Sequence, residues 1–455
     1  MRRSLATLLS VAALTAAAAG PASAGLLGTP DDPAPIDAAV LEAAGPASAL
    51  LHLADGASVT QLRAAALTNG VALGSVFEAI DVVHATGPVA GFEALAESGL
   101  VSWVEHDAAI TTFTETSHQA TRGQEVLDGA VTLPDGTVID GSGIGVAVVD
   151  SGIDDTHADL NPVRNVKTIP VLGGAIDLPA TDVISLGGHG THVAGIVAGT
   201  GAASDGEVHG AAPGASLYGV SAGTLISVHS GLESLEWVLD NHDQVSPAIR
   251  VVNNSWGSSG NGSANPDSAL GQMIDALVAD GLVVVWAAGN DGGNGSSATT
   301  SPTCVQQTPG NICVAAYDDQ NAGIRNGGIA DFSSRGTDGD VSTYPDIAAP
   351  GANILATCRP YLPICATGLQ TDPNYGTLSG TSMAAPHIAG IAAQLLQVDP
   401  TLTPAEVEDL LEDTAIRIQE GPVLSDPANP TTGTSFDAGH GLVDVRAAVE
   451  ALLAS

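Results

Sequence analysis

The 455-residue sequence predicts a doubly wound α/β fold, a mostly parallel sheet with helices on both faces, preceded by a small ferredoxin-like α+β unit. Beyond Gln124, runs rich in Val and Ile ("GIGVAVVD", "ASLYGV", "IRVVNNS", "LVVVWAAGN", "NICVAAY") alternate with helical, Ala-rich stretches ("HVAGIVAG", "SGLESLEWVLD", "SALGQMIDALVADG", "MAAPHIAGIAAQLLQ"). Continuous apolar strands are buried on both faces, as a parallel sheet covered by crossover helices requires. Residues 49–113 carry a shorter alternation of their own, and a polar stretch without apolar period, 114–124, separates the two parts.

Taken in order, Arg2 and Arg3 precede an apolar run from Leu5 to Ala19, and "PASAG" offers small residues before a cut after Ala24. Residues 1–24 are therefore expected to be a secretory signal peptide. The run is too short to span a bilayer comfortably and no later stretch reaches that length, so an exported, extracellular protein without a membrane anchor is expected. "TPDDPAP" reads as a linker. Then "ALLHLA" predicts a strand, "SVTQLRAAALTNG" a helix closed by Gly70, and "SVFEAIDVVHATG" one or two strands. "GFEALAESG" follows as a helix closed by Gly99 and "LVSWVEHDAAITTF" as strand again, which completes a βαββαβ order.

Fifty acidic residues stand against 12 basic ones, and Lys167 is the lone lysine. Nucleic acid is excluded as a partner, since phosphate contacts need Lys and Arg. The acids are spread along the chain, which fits a strongly hydrated surface and a soluble monomer. Four cysteines suit an oxidising exterior and leave no thiol over. They allow three connectivities; Cys304 with Cys313 and Cys358 with Cys365 each close a short loop, the arrangement that loses least chain entropy.

In doubly wound sheets the chemistry sits beyond the carboxyl ends of the strands. "GVAVVD" ends in Asp150 and "LVVVWAAG" runs into Asn290, while "GGHGTHVAG" puts His189 and "SGTSMAAPH" puts Ser382 at helix starts. A serine nucleophile needs a base for its proton, the base needs a carboxylate to hold its tautomer, and the oxyanion needs aimed donors. Singly, each residue has an ordinary explanation. "DSG" is turn chemistry, and a serine commonly caps a helix. "HGTH" lacks the Glu of the zinc motif H-E-x-x-H, so no catalytic metal is expected, and His192 and His387 read as structural. The glycines of "GSGIG" precede their strand, whereas a dinucleotide loop follows one. Trp256 and Trp286 read as core aromatics, and Pro386 as lying in the first helical turn, where its missing N–H is harmless.

"VAVVDSGIDDTHADL", "GHGTHVAGIVAG" and "SGTSMAAPHIAG" together resemble the subtilisin-like serine peptidases, with "VNNSWG", "AAGN" and the closing "GHGLVDVRAAV" as further matches. The resemblance covers about Gln124 to the C-terminus. It implies a subtilisin-like fold and a secreted endopeptidase in which Asp150, His189 and Ser382 form the triad and Asn290 supplies an oxyanion donor. Ser255, Trp256 and Gly257 would bind substrate backbone, with a specificity pocket between them and Ala288–Gly289. Gly257 would leave room there for a large side chain, and Asp291 would help the pocket accept basic or polar groups. No cofactor is implied for the chemistry. Structural calcium is compatible with the family: Asp159 matches a ligand position, "GTGAASDGEVHG" departs from the usual ligand loop, and "DDQNAG" is another oxygen-rich loop. Residues 25–113 resemble a linker and inhibitory propeptide, 114–455 the peptidase, with self-processing after Phe113 and the stretch to Arg122 as margin. Partners would be protein or peptide substrates and the chain's own propeptide. The alternative is a catalytically silent peptide-binding protein on the same fold, which filled catalytic positions disfavour.

Overall fold

The computed structural model describes residues 33–454, apart from 44, 108–110, 113–118, 170–174, 186, 224–226, 259, 366–372, 419–420 and 430–431. The signal peptide expected at 1–24 and the cleavage position Phe113 lie outside the described residues.

A short helix α1 (Ala38–Leu41) leads into the first unit: β1 (Ala47–Leu53), α2 (Val59–Thr68), β2 (Ala72–Phe77), β3 (Val82–Gly87), α3 (Val89–Ala96) and β4 (Val101–His106). The sheet order is β2-β3-β1-β4 with antiparallel neighbours throughout. "SVFEAIDVVHATG" resolves into two strands because a 3-10 turn at Glu78–Ile80 and a left-handed Asp81 (φ 52°) break it. The Ser58 hydroxyl accepts the Gln61 N–H while the Gln61 side chain accepts the Ser58 N–H, a reciprocal cap that sets the start of α2. One face of this sheet packs on α2 and α3 through Leu51, Leu62, Val83, Phe92 and Leu95.

After β5 (Thr111–Thr112) the second unit runs α4 (Gly123–Leu127), β6 (Gly145–Asp150), β7 (Arg164–Thr168), β8 (Ala175–Asp177), α5 (Thr181–Ser185), α6 (His189–Ala198), β9 (Ser216–Ser221), α7 (Val228–Asn241) and β10 (Ile249–Asn254). It continues with β11 (Trp256–Gly257), α8 (Ala269–Ala279), β12 (Val283–Ala287), β13 (Asn311–Asp318), β14 (Gly328–Ile329), β15 (Ile347–Pro350), β16 (Ile354–Thr357), β17 (Tyr375–Leu378), α9 (Thr381–Val398), α10 (Pro404–Thr414) and α11 (Val445–Ala454). The main sheet has the order β14-β13-β12-β10-β6-β9-β7-β8, with β15 also on β13. Its central pairs are parallel; β8 and β14 are antiparallel.

Successive side chains of a strand point to opposite faces, and both faces here are apolar. Val146 and Val148 join the core that contains α6 and α9, while Ala147 and Val149 join the one that contains α7 and α8. The second core also takes in Leu50, Phe77, Ile80 and Val82 from the first unit, so the small sheet docks its other face on α7 and α8. Burying a side chain of this size contributes roughly 1.5–3 kcal/mol relative to leaving it in water. Two carboxylates complete the contact. Glu105 Oε2 accepts the Ala269 N–H at 2.8 Å and Asp107 Oδ1 accepts the His229 N–H at 3.0 Å, so each serves free donors at the positive end of a helix, α8 and α7 respectively. Cys304 is bonded to Cys313 and Cys358 to Cys365.

Candidate active site

Adjacent strands β6, β10 and β12 end side by side, which brings Asp150, Ser255 and the turn to Asn290 to one edge of the sheet. Asp150 is fully buried, and its two oxygens lie 2.8 and 3.0 Å from His189 Nδ1. The Ser151 N–H donates to Asp150 Oδ1 at 2.7 Å and fixes the carboxylate from behind. His189 opens α6 after Gly188, whose φ of 106° suits glycine; a Cβ there would meet Ile364, Leu362 and the Cys365 sulfur. The Cys358–Cys365 loop therefore lies directly against the helix start that carries His189.

Ser382 is the second residue of α9 and is fully buried. Its hydroxyl donates to the Ser255 carbonyl at 2.8 Å, and the Ser255 hydroxyl donates back to the Ser382 carbonyl at 2.7 Å. Pro386 lies one turn later than the sequence predicts. α9 begins at Thr381, which makes Pro386 its sixth residue, beyond the turn whose donors have no intrahelical partner. The N–H that proline lacks would have bonded the carbonyl four residues back, that of Ser382. That carbonyl is the one the Ser255 hydroxyl occupies.

Asn290 follows Gly289, which has φ 113°. The Asn290 Oδ1 accepts the Thr381 N–H at 3.0 Å and the Thr381 hydroxyl at 3.1 Å, which anchors the oxygen end of its side-chain amide at the start of α9 and leaves the NH2 end as the one it can offer a ligand. The Thr381 oxygen in turn accepts the Gly289 N–H at 3.0 Å. Ala288 is buried beside it.

The segment read as a substrate strand pairs with the end of the first unit. β11 runs antiparallel to β5 in the register Trp256 with Thr112 and Gly257 with Thr111. The Trp256 side chain faces the core, not this groove: it is fully buried, its indole N–H donates to the Val149 carbonyl at 2.9 Å, and it packs edge-on against Trp286. Only its backbone is offered to a bound strand. Asp291 is exposed, and its carboxylate accepts the Gly260 N–H at 3.3 Å.

Burial holds His192 and His387 far below the usual imidazole range, to about 3 and about 4. They bond the Gly376 and Met383 carbonyls, respectively, as neutral structural groups. Asp159 is buried, with Oδ1 accepting the Ala203 N–H at 2.6 Å and Oδ2 the Tyr375 hydroxyl at 2.6 Å, so this position ties its own loops together. In "DDQNAG", Asp318 and Asp319 likewise accept backbone N–H groups of the same turn. Among the described residues, neither loop brings three carboxylate or imidazole groups together within reach of one ion. Carboxylates instead converge at Asp346, Glu408 and Glu412, where burial and mutual repulsion push the Asp346 and Glu408 carboxyls well above their usual range.

No motif marks Asp182, a fully buried carboxylate that accepts hydrogen bonds from Ser151, Gly188 and Thr191. A lone acid in "TDVISLGG", a few residues before "HGTH", is its only trace in the pattern.

Comparison with known proteins gives consistent matches. A family profile described as the subtilase family (Peptidase S8) matches residues 141–441. The chain is 37% identical over 317 residues to subtilisin E of Bacillus subtilis (strain 168), covering 68% of this chain and 66% of that protein. It is 34% identical over 337 residues to serine protease AprX of the same organism, covering 72% of each. Fervidolysin from Fervidobacterium pennivorans, described as a keratinolytic enzyme related to subtilisin, superimposes with a TM-score of 0.68 at 23% identity, over 93% of this chain and 64% of that one. That last likeness concerns the fold. The chain thus spans just under two thirds of the length of subtilisin E and of fervidolysin.

Proposed function

The chain belongs to the subtilase family of serine peptidases, and on that premise we propose that it is an exported endopeptidase, made as a zymogen, that cleaves protein and peptide substrates through Ser382. The observation that carries the proposal is the contact of His189 Nδ1 with both Asp150 oxygens, at the sheet edge where Ser382 opens α9.

His189 takes the Ser382 proton at Nε2 as Oγ attacks the substrate carbonyl carbon. To do so the hydroxyl turns away from the Ser255 carbonyl that it bonds in this structure. Asp150 keeps the other ring proton on Nδ1 and stabilises the imidazolium that forms. The oxyanion receives the Asn290 amide and the Ser382 N–H, which is one of the free donors at the start of α9. His189 then returns its proton to the leaving amine, and water repeats the sequence on the acyl-enzyme. No step needs a metal or cofactor. Ser255 and Gly257 hold the extended substrate by main-chain bonds, with Ala288 and Gly289 on the opposite wall of the pocket.

Residues 25–113 act as linker and inhibitory propeptide, and residues 114–455 as the peptidase. The Thr112–Trp256 register supports this, because it lays the end of the first unit along the proposed substrate strand, one residue short of Phe113. Residues 1–24 direct export; among the described residues no helix is long and apolar enough to cross a membrane. Purified secreted protein should hydrolyse denatured protein substrates and lose that activity to a fluorophosphonate. Absence of hydrolysis by correctly folded, processed protein would overturn the proposal.

A further inference from the structure

Asp182 sits in α5 with no exposed surface, and its two oxygens are shared among four donors. Oδ1 accepts the Ser151 hydroxyl at 2.8 Å and the Gly188 N–H at 2.7 Å. Oδ2 accepts the Thr191 N–H at 3.0 Å and the Thr191 hydroxyl at 2.5 Å. The donors belong to the residues that flank the catalytic pair. Ser151 follows Asp150 and also accepts the Gly190 N–H at 2.9 Å, while Gly188 and Thr191 bracket His189. Gly188 is held from the other side by Leu362, Ile364 and Cys365 of the disulfide loop. Lys167 lies close by: its amine is 3.5 Å from the Ser221 hydroxyl, which donates to the Ser151 carbonyl at 2.7 Å. Burial holds the Lys167 amine below its usual range, and the negative charge of Asp182 acts against that shift.

We propose that Asp182 is a positioning residue for the peptidase reaction, one that clamps the first turn of α6 to the end of β6 and thereby fixes the distance between His189 and Asp150. The inference rests on the serine peptidase assignment of the preceding section and deepens it. Free N–H groups at a helix start attract an anion, and here the anion is internal and also grips Ser151, next to the triad aspartate. The clamp needs a carboxylate. Each oxygen faces one backbone N–H that cannot rotate, Gly188 on one side and Thr191 on the other. An asparagine in either orientation would point its own N–H groups at one of them. Asp182→Asn therefore swaps an attraction for a repulsion at the helix turn that carries His189, with almost no change in shape.

The test measures kcat, KM and the pH profile of kcat/KM for wild type, Asp182→Asn, Thr191→Val and Ser151→Ala, each normalised to active sites titrated with a fluorophosphonate. Asp182→Asn should lose about 10²-fold in kcat, the scale on which a misplacement of ~1 Å acts, with KM for a short peptide nearly unchanged. Its acid limb should move to lower pH, because removing a nearby negative charge makes the His189 imidazolium easier to deprotonate. Thr191→Val and Ser151→Ala should show smaller losses of the same kind and decide the matter if Asp182→Asn does not fold. The low-field Nδ1 proton of His189 should shift in each variant. Per-site kcat, acid limb and proton resonance equal to wild type in the variants that fold would overturn the inference and assign Asp182 to stability alone. A wild-type protein that neither hydrolyses peptide nor reacts with the probe would instead remove the assignment on which the inference stands.

Discussion

Ser255 and Ser382 are bonded to each other twice, each hydroxyl donating to the other's carbonyl, at 2.7 and 2.8 Å. The pair joins the end of β10 to the start of α9, and because Pro386 supplies no N–H to the Ser382 carbonyl, the Ser255 hydroxyl serves that carbonyl in place of its helical partner. Ser255→Ala should then strand a buried carbonyl and destabilise the protein by about 1–3 kcal/mol. Pro386→Ala, which restores an N–H four residues on, should recover part of that loss. Melting of the two single variants and the double variant, each in the Ser382→Ala background to prevent self-digestion, tests the coupling. Additive effects would show that the two sites are independent.

Asn290→Ala should lower kcat by on the order of 10²–10³ with little effect on KM, since an oxyanion donor acts in the transition state. Thr381→Val should also lower kcat, by less, because the Thr381 hydroxyl is one of two donors that fix the direction of the Asn290 amide. Steady-state kinetics on one peptide substrate decide both. Unchanged turnover in Asn290→Ala would take it out of the mechanism.

Amino-terminal sequencing of the secreted enzyme should place the mature start after Phe113 and no later than Arg122. The Ser382→Ala protein should keep residues 25–113 attached. A mature start well before Trp103, inside β4, would contradict the division into propeptide and peptidase.

Glu236 on α7 meets Glu78 of the small unit, and burial, reinforced by Asp240 and Glu233, raises its carboxyl to about 7. A carboxyl raised in the docked state supports docking while protonated and loses that contribution as pH climbs through about 7. Hydrogen exchange in the Ser382→Ala zymogen, corrected for the intrinsic rate at each pH, should show β2 and α7 less protected at pH 8 than at pH 6. Glu236→Gln should flatten the difference. Equal pH dependence in both proteins would exclude Glu236 as its source.

Much of this architecture was legible in the sequence because its signals are local. Asp150, His189 and Ser382 each sit in a stretch whose strand end or helix start is written in neighbouring residues, and the βαββαβ order follows from short periodic runs closed by glycine. What escaped depends on contacts between distant residues. Glu105 and Asp107 serve helix starts more than 120 residues away. Asp182 has meaning only once α5 is folded against α6, and the place of Pro386 in α9 turned on a helix start that pattern fixes only to within a turn.

A Ser382 nucleophile activated by His189 should react where an ordinary serine does not. The direct measurement is reaction of the processed protein with a fluorophosphonate at neutral pH, followed by peptide mass mapping. The expected result is one adduct, on the Ser382 hydroxyl, with complete loss of hydrolysis and no adduct in Ser382→Ala or, at the same exposure, in His189→Ala. Hydrolysis that survives full modification, or an adduct on another residue while Ser382 stays free, would contradict it.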